Sequence, residues 1–165
     1  MARLAVLSSL LAVCIMASGR DVQAHPAGPA QSAEATAASY VALVLNPNST
    51  AVFYNRGTLR LRAGDLDGAI SDLDRVLALD PRHVAAYNNR GIARAGKGDP
   101  EGAIADFIQV TRIDSKRHEA YVNLGFVRLE QGRVDEARRN FARSISLRPS
   151  VKALIDTHTS EIERP

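Results

Sequence analysis

The sequence is nearly without the residues that staple or anchor small folds. It has one cysteine, Cys14, no tryptophan, and only four tyrosines and four phenylalanines in 165 residues. One cysteine excludes an internal disulfide, and without Cys and His at ligand spacing a structural metal is excluded too, so stability has to come from packing. No apolar run after the first two dozen residues is long enough to span a membrane. Runs of one charge sign are also missing. The 21 basic and 18 acidic residues, net +3, are interleaved, so no nucleic-acid partner is expected. Walker loops, nucleophile elbows and Ser/His/Asp sets in a motif context are absent as well, so neither an enzyme nor a cofactor is expected. What is present, 45% hydrophobic and 24% charged residues, excludes general disorder. A chain of this length can bury about two-thirds of its unfolded surface.

The first 24 residues have the form of a secretory signal peptide: Arg3 supplies the positive start, Leu4 to Ala17 the apolar run, and Val22-Gln23-Ala24 the small residues of a cleavage site. Cleavage after Ala24 is the favoured reading, with a cut after Gly19 or an uncleaved anchor as alternatives. Cys14 follows Leu11-Ala12-Val13, where bulky Val13 argues against a lipidation box. Loss of Arg3, Arg20 and Asp21 with the signal lowers the net charge to +2. Export is expected to place the protein in the periplasm or outside the cell, with no stable membrane insertion after signal cleavage. His25, with Pro26, Gly28 and Pro29 behind it, opens a flexible leader over 25–30, and no metal site is expected there.

From Thr50 to Val151 one pattern is written three times at a spacing of 34 residues. Gly57, Gly91 and Gly125 share one register and Ala69, Ala103 and Ala137 another; Phe53, Tyr87 and Tyr121 precede the glycines by four, and Leu73, Phe107 and Phe141 follow the alanines by four. Asn55, Asn89 and Asn123, and Arg60, Arg94 and Arg128, keep the same period. Within each unit apolar residues recur at helical spacing on either side of Gly64, Gly98 and Gly132, which reads as two helices joined by a turn. Asp65 and Asp99 are suited to cap second helices, and Pro100 to open one. The units are 50–83, 84–117 and 118–151. Ala35 and Pro47 fall in the register of a second helix, so 31–47 reads as an N-terminal half-unit, and 152–163, with Val151, Leu154, Ile155, His158 and Ile162 on one stripe, as a C-terminal capping helix.

The expected fold is all-α: antiparallel helix pairs stacked into a solenoid, the Gly and Ala registers letting paired helices approach closely while the rings fill the space beside them. Those registers resemble the tetratricopeptide-repeat family, whose unit carries an aromatic, Gly, Ala, a second aromatic and Pro at set places. Phe53, Gly57, Ala69, Leu73 and Pro81 fit in the first unit, Tyr87, Gly91, Ala103 and Phe107 in the second, and Tyr121, Gly125, Ala137, Phe141 and Pro149 in the third. Arg60, Arg94 and Arg128 depart from it where Tyr is usual, and Ser115 replaces Pro.

The resemblance implies a concave groove, lined by the first helices, that holds a peptide or partner protein. Its groove places fall on Ala51, Tyr54, Asn55, Thr58 and Arg62, on Ala85, Asn88, Asn89 and Ile92, and on Glu119, Val122, Asn123, Phe126 and Glu130. The three Asn would form a ladder, each amide offering a donor and an acceptor to an extended ligand, or else bond within the protein or to water. The family's clamp for acidic C-terminal tails is not matched: Tyr54 and Glu119 stand where it carries Lys, and Asn123 where it carries Arg. The expected role is a non-catalytic scaffold or adaptor, with self-association as the alternative. Arg56 and Arg90 each precede an Asp by 16 residues, Asp72 and Asp106, whereas the third unit has Leu124 and Asn140 there. Joint loss of both partners predicts an ion pair between the two helices of each of the first two units. Arg60, Arg94 and Arg128 are expected to lay their stems over apolar faces with their heads in water.

Overall fold

The computed structural model describes residues 49–162; the expected signal, leader and half-unit helix lie outside the described residues. Seven α-helices follow one another within that span: α1 Thr50–Ala63, α2 Leu66–Leu79, α3 Val84–Gly96, α4 Pro100–Ile113, α5 His118–Glu130, α6 Val134–Leu147 and α7 Lys152–Ile162, with a 3₁₀ turn Pro149–Val151 before the last. The described residues contain no strand.

Local chemistry sets the helix ends. Asp65 Oδ1 accepts from Gly68 N and Asp99 Oδ1 from Gly102 N, both at 2.9 Å, filling backbone donors that the first turns of α2 and α4 leave open. Ser49 caps α1 more loosely, at 3.4 Å from Val52 N, and His83 caps α3 through Nδ1 on Ala86 N. The turns between paired helices pass through Gly64, Gly98 and Gly132 at φ of 81°, 81° and 75°, a left-handed conformation that a side chain disfavours.

The pairs α1/α2, α3/α4 and α5/α6 pack against each other, each second helix also packs on the first helix of the next unit, and α1 touches α3 as α3 touches α5. Two layers result, one of first helices and one of second helices. Close approach within a pair depends on the glycine register. A Cβ on Gly91 would stand 2.7 Å from the Phe107 ring and one on Gly125 would run into Phe141, while at Gly57 the nearest atoms, of Asp72 and Leu73, would be 3.2 Å away. Ala69 and Ala103 are fully buried, as are Leu73 and Phe107. Burying one such large side chain contributes about 1.5–3 kcal/mol, so most of the stability lies between helices rather than within them. One core cluster runs from Leu61 through Phe107 and Phe141 to Val151 and Ile155, joining α7 to the third unit. A second gathers Phe53, Leu73, Val76, Leu77 and Ala86 around the first.

Candidate functional site

The predicted Arg–Asp pairs form as buried bidentate forks. Arg56 donates to Asp72 through Nε at 2.8 Å and Nη2 at 2.5 Å, and Arg90 to Asp106 at 2.9 and 2.5 Å. Asp72 and Asp106 are nearly inaccessible, so each carboxylate needs the charge opposite it. Burial by itself would lower the Arg90 pKa, but its bonds to Asp106 and Asp74 outweigh that and hold it above the ordinary arginine value.

The second Arg register differs from expectation. Arg60 and Arg94 do not leave their heads in water: Nη1 of each donates to the same Asp at 2.8 and 2.9 Å, and to the carbonyl of Gly68 or Gly102. Two arginines per Asp satisfy a buried carboxylate better than one, which is why the heads turn inward. The third unit solves the problem otherwise. Its Leu124 is buried, its Asn140 turns to Glu136 O, and Arg128 faces Glu136, which Arg133 also grips with both ends of its fork.

On the first-helix layer the Asn register does not form a free ladder. Asn89 Nδ2 on α3 donates to Thr58 Oγ1 at 3.1 Å and Tyr54 Oη at 3.4 Å on α1, and Asn123 Nδ2 on α5 donates to Asn88 Oδ1 at 3.0 Å on α3. The amides therefore stitch each first helix to its predecessor, a contact between units that one unit's helical periodicity cannot show. Asn123 is buried, and so are Ile92, Val122 and Phe126, which were expected to line the groove. All three belong to the core; the Phe126 ring meets Phe141 edge-on at 5.0 Å and His158 of α7 at 6.0 Å. Asn55, Arg62 and Glu130 stay exposed, while Tyr54, Thr58, Asn88, Asn89 and Glu119 are half-buried. Although solvent reaches the Glu130 side chain, the protein around it desolvates its carboxyl and pushes the pKa up to about 6.

One cluster is hidden in the sequence because His118 and Arg148 stand 30 residues apart there. Arg148 Nη1 lies 3.3 Å from His118 Nε2. A guanidinium only donates, so Nε2 accepts and the ring proton sits on Nδ1, 3.0 Å from Glu119 Oε2 but not aligned for a hydrogen bond. Ser144 Oγ donates to the His118 carbonyl. Burial lowers the His118 pKa, Arg148 and Arg117 add to that, and Glu119 opposes it. The signal was present in the repeat: Ser144 and Arg148 stand where the earlier units have Val76 and Val110, and Asp80 and Asp114.

Among the described residues no set of His, Cys, Asp or Glu could hold a metal, and no helix is long and apolar enough to cross a membrane. No curated protein matches the sequence. Several solved structures share the fold. MamA from Desulfovibrio magneticus RS-1 superposes with a TM-score of 0.69 at 20% identity, covering 88% of this chain and 77% of that one. The Arabidopsis OM64 TPR domain gives 0.61 at 23%, covering 62% and 85%. The first TPR of Spaghetti (RPAP3), bound to HSP90 peptide SRMEEVD, gives 0.62 at 19%, covering 70% and 94%. Two tetratricopeptide-repeat family models match residues 54–118 and 118–151. Together they take in more than half of the chain, which belongs to the tetratricopeptide-repeat family.

Proposed function

We propose that this protein is a non-catalytic interaction scaffold whose first-helix layer holds an extended peptide or a segment of a partner protein. The observation that carries this is the polar seam across three helices, Tyr54, Thr58 and Asn89, then Asn88 and Asn123, with exposed Asn55 and Arg62 on the same layer. A surface braced by its own hydrogen bonds is ordered before a ligand arrives, so binding costs little conformational entropy. An extended backbone can then use the amide and hydroxyl groups left at the surface. A similar fold holding a peptide in the Spaghetti complex supports the reading. An acidic tail of that kind is not the partner we infer, because Tyr54, Glu119 and Asn123 occupy the places of the family's cationic clamp. The signal-like first 24 residues support an exported protein, with its partner in the same compartment.

Self-association is the alternative. Exposed large apolar residues among the described ones are Leu79 and Val134, too isolated to form an interface core. A photo-crosslinking residue at position 55 or 88 is expected to capture a partner in cells, and one at position 139, on the second-helix layer, is expected not to capture the same species. Equal capture from both layers, or capture only of a second copy of the chain, would refute the scaffold reading.

A further inference from the structure

Ion pairing sorts the charge of this chain by layer. On the first helices Arg56, Arg60, Arg90, Arg94 and Arg128 each face a carboxylate. On the second helices the acids gather in the first turns, as Asp67, Glu101, Asp135 and Glu136. Past those turns Asp74 is bound to Arg90, and Asp80 and Asp114 at the helix ends accept from the backbone N–H of Arg82 and Lys116.

Past those first turns, whose Asp67, Glu101 and Asp135 stay exposed, the outward surface is basic. Arg75 on α2, Arg112 on α4, and Arg139 and Arg143 on α6 are exposed, as are Arg82 and Lys116 in the turns that follow α2 and α4. None of the six is at ion-pair distance from a carboxylate among the described residues, though Arg139 adds to the pull of Arg133 and Arg128 on the Glu136 carboxyl. The Arg75 and Arg143 heads lie over the Phe53 and Tyr121 rings at 5.3 and 5.9 Å, which holds two of the charges in place. The sequence reads as mixed charge because the carboxylates that the first-helix arginines engage, Asp72, Asp74, Asp106 and Glu136, are counted with the cations left outside.

Five of the six are arginine, whose planar fork suits phosphate oxygens. The face is unsuited to reading nucleic acid. It has no exposed ring for a base to stack on, since Phe53 and Tyr121 lie beneath arginines, and the helices are joined by short turns with nothing protruding to enter a groove. A bilayer with anionic phosphodiester headgroups asks only for positive charge spread over a surface. Leu79, one turn after Arg75, is 48% exposed and adds an apolar contact. The apolar run Leu4 to Ala17 brings the chain to a membrane, whether it acts as an export signal or an anchor. We propose that the outward face of the second helices docks on an anionic phospholipid bilayer, leaving the first-helix layer turned toward a partner.

The test is co-sedimentation of the full chain with vesicles of phosphatidylcholine alone and of phosphatidylcholine mixed with phosphatidylglycerol. The first vesicle measures what the apolar run contributes. Partitioning onto the mixed vesicle is expected to be about ten-fold stronger or more, falling as salt rises. The triple variant Arg82→Gln, Arg112→Gln, Lys116→Gln, which touches no ring and no ion pair, is expected to drop to the phosphatidylcholine level with its thermal midpoint unchanged. A control with the same change in net charge, Arg62→Gln, Lys97→Gln, Lys152→Gln, is expected to keep most of the binding. Equal loss in both variants would show that net charge alone acts and would overturn the proposal, as would equal binding to the two vesicles. Tighter binding to a DNA duplex than to the mixed vesicle, lost in the first variant only, would overturn it in favour of a nucleic-acid face.

Discussion

The third unit carries Leu124 and Asn140 where the second carries Arg90 and Asp106, so the protein supplies its own reference for what the ion pair is worth. Arg90→Leu and Asp106→Asn, separately and together, transplant that alternative. Asp106 accepts three donors in a buried site, two from Arg90 and one from Arg94. Replacing it alone leaves two guanidinium groups facing an amide, and removing one side of a buried pair costs about 3–5 kcal/mol. Arg90→Leu alone leaves Arg94 on the carboxylate and should cost less, about 2–4 kcal/mol, from charge-assisted hydrogen bonds of about 1.5–3 kcal/mol each. Together the changes remove both charges of the fork and place an apolar side chain where α5 already buries one. The double variant should then be about 2–3 kcal/mol more stable than the sum of the singles predicts. Urea unfolding followed by far-ultraviolet circular dichroism measures the three differences, provided the slopes agree. A coupling below about 0.5 kcal/mol would mean that the fork, despite its geometry, contributes no more than two independent solvated charges, and the reasoning would fail.

Other expectations follow from the same contacts. Gly125→Ala, which drives a methyl into Phe141, should lower the thermal midpoint more than Gly91→Ala; Gly57→Ala, with its nearest neighbours at 3.2 Å, should be close to neutral because alanine's helix preference of about 1 kcal/mol offsets the crowding. Any other order would mean that the ring contacts do not set helix spacing. His118 has a pKa below its ordinary 6.5 in the folded protein, so the unfolded chain takes up its proton first as pH falls. Stability should therefore be flat in this group above about 6.5 and decline below it. His118→Gln should flatten that decline, and a decline of unchanged size would assign it elsewhere. The protein recovered from its native compartment should begin at His25 by N-terminal sequencing, whereas an intact Met1 would exclude cleavage.

Much of the fold was legible because a repeat averages out the ambiguity of any single stretch. Gly57, Gly91 and Gly125 at one register with Ala69, Ala103 and Ala137 at another imply close helix pairs, and the Arg–Asp forks could be read from the unit that lacks both members. The candidate site was read less well. Asn55, Asn89 and Asn123 look equivalent in sequence, yet one is exposed, one bonds α1 and one is buried against α3, because each has different neighbours along the stack. Ile92, Val122 and Phe126 were assigned to the groove for the same reason: a register says which way a side chain leaves its helix, not what arrives to cover it.

The sequence by itself determined the helix pairs, their turns and their closest contacts, since those depend on residues within one unit and on the size of side chains at fixed helical spacing. Only the tertiary structure decided which charges remain. Folding turns five first-helix arginines to carboxylates and leaves other cations exposed on or just after the second helices. Whether a charge is paired depends on distances across helices, which neither composition nor order along the chain contains.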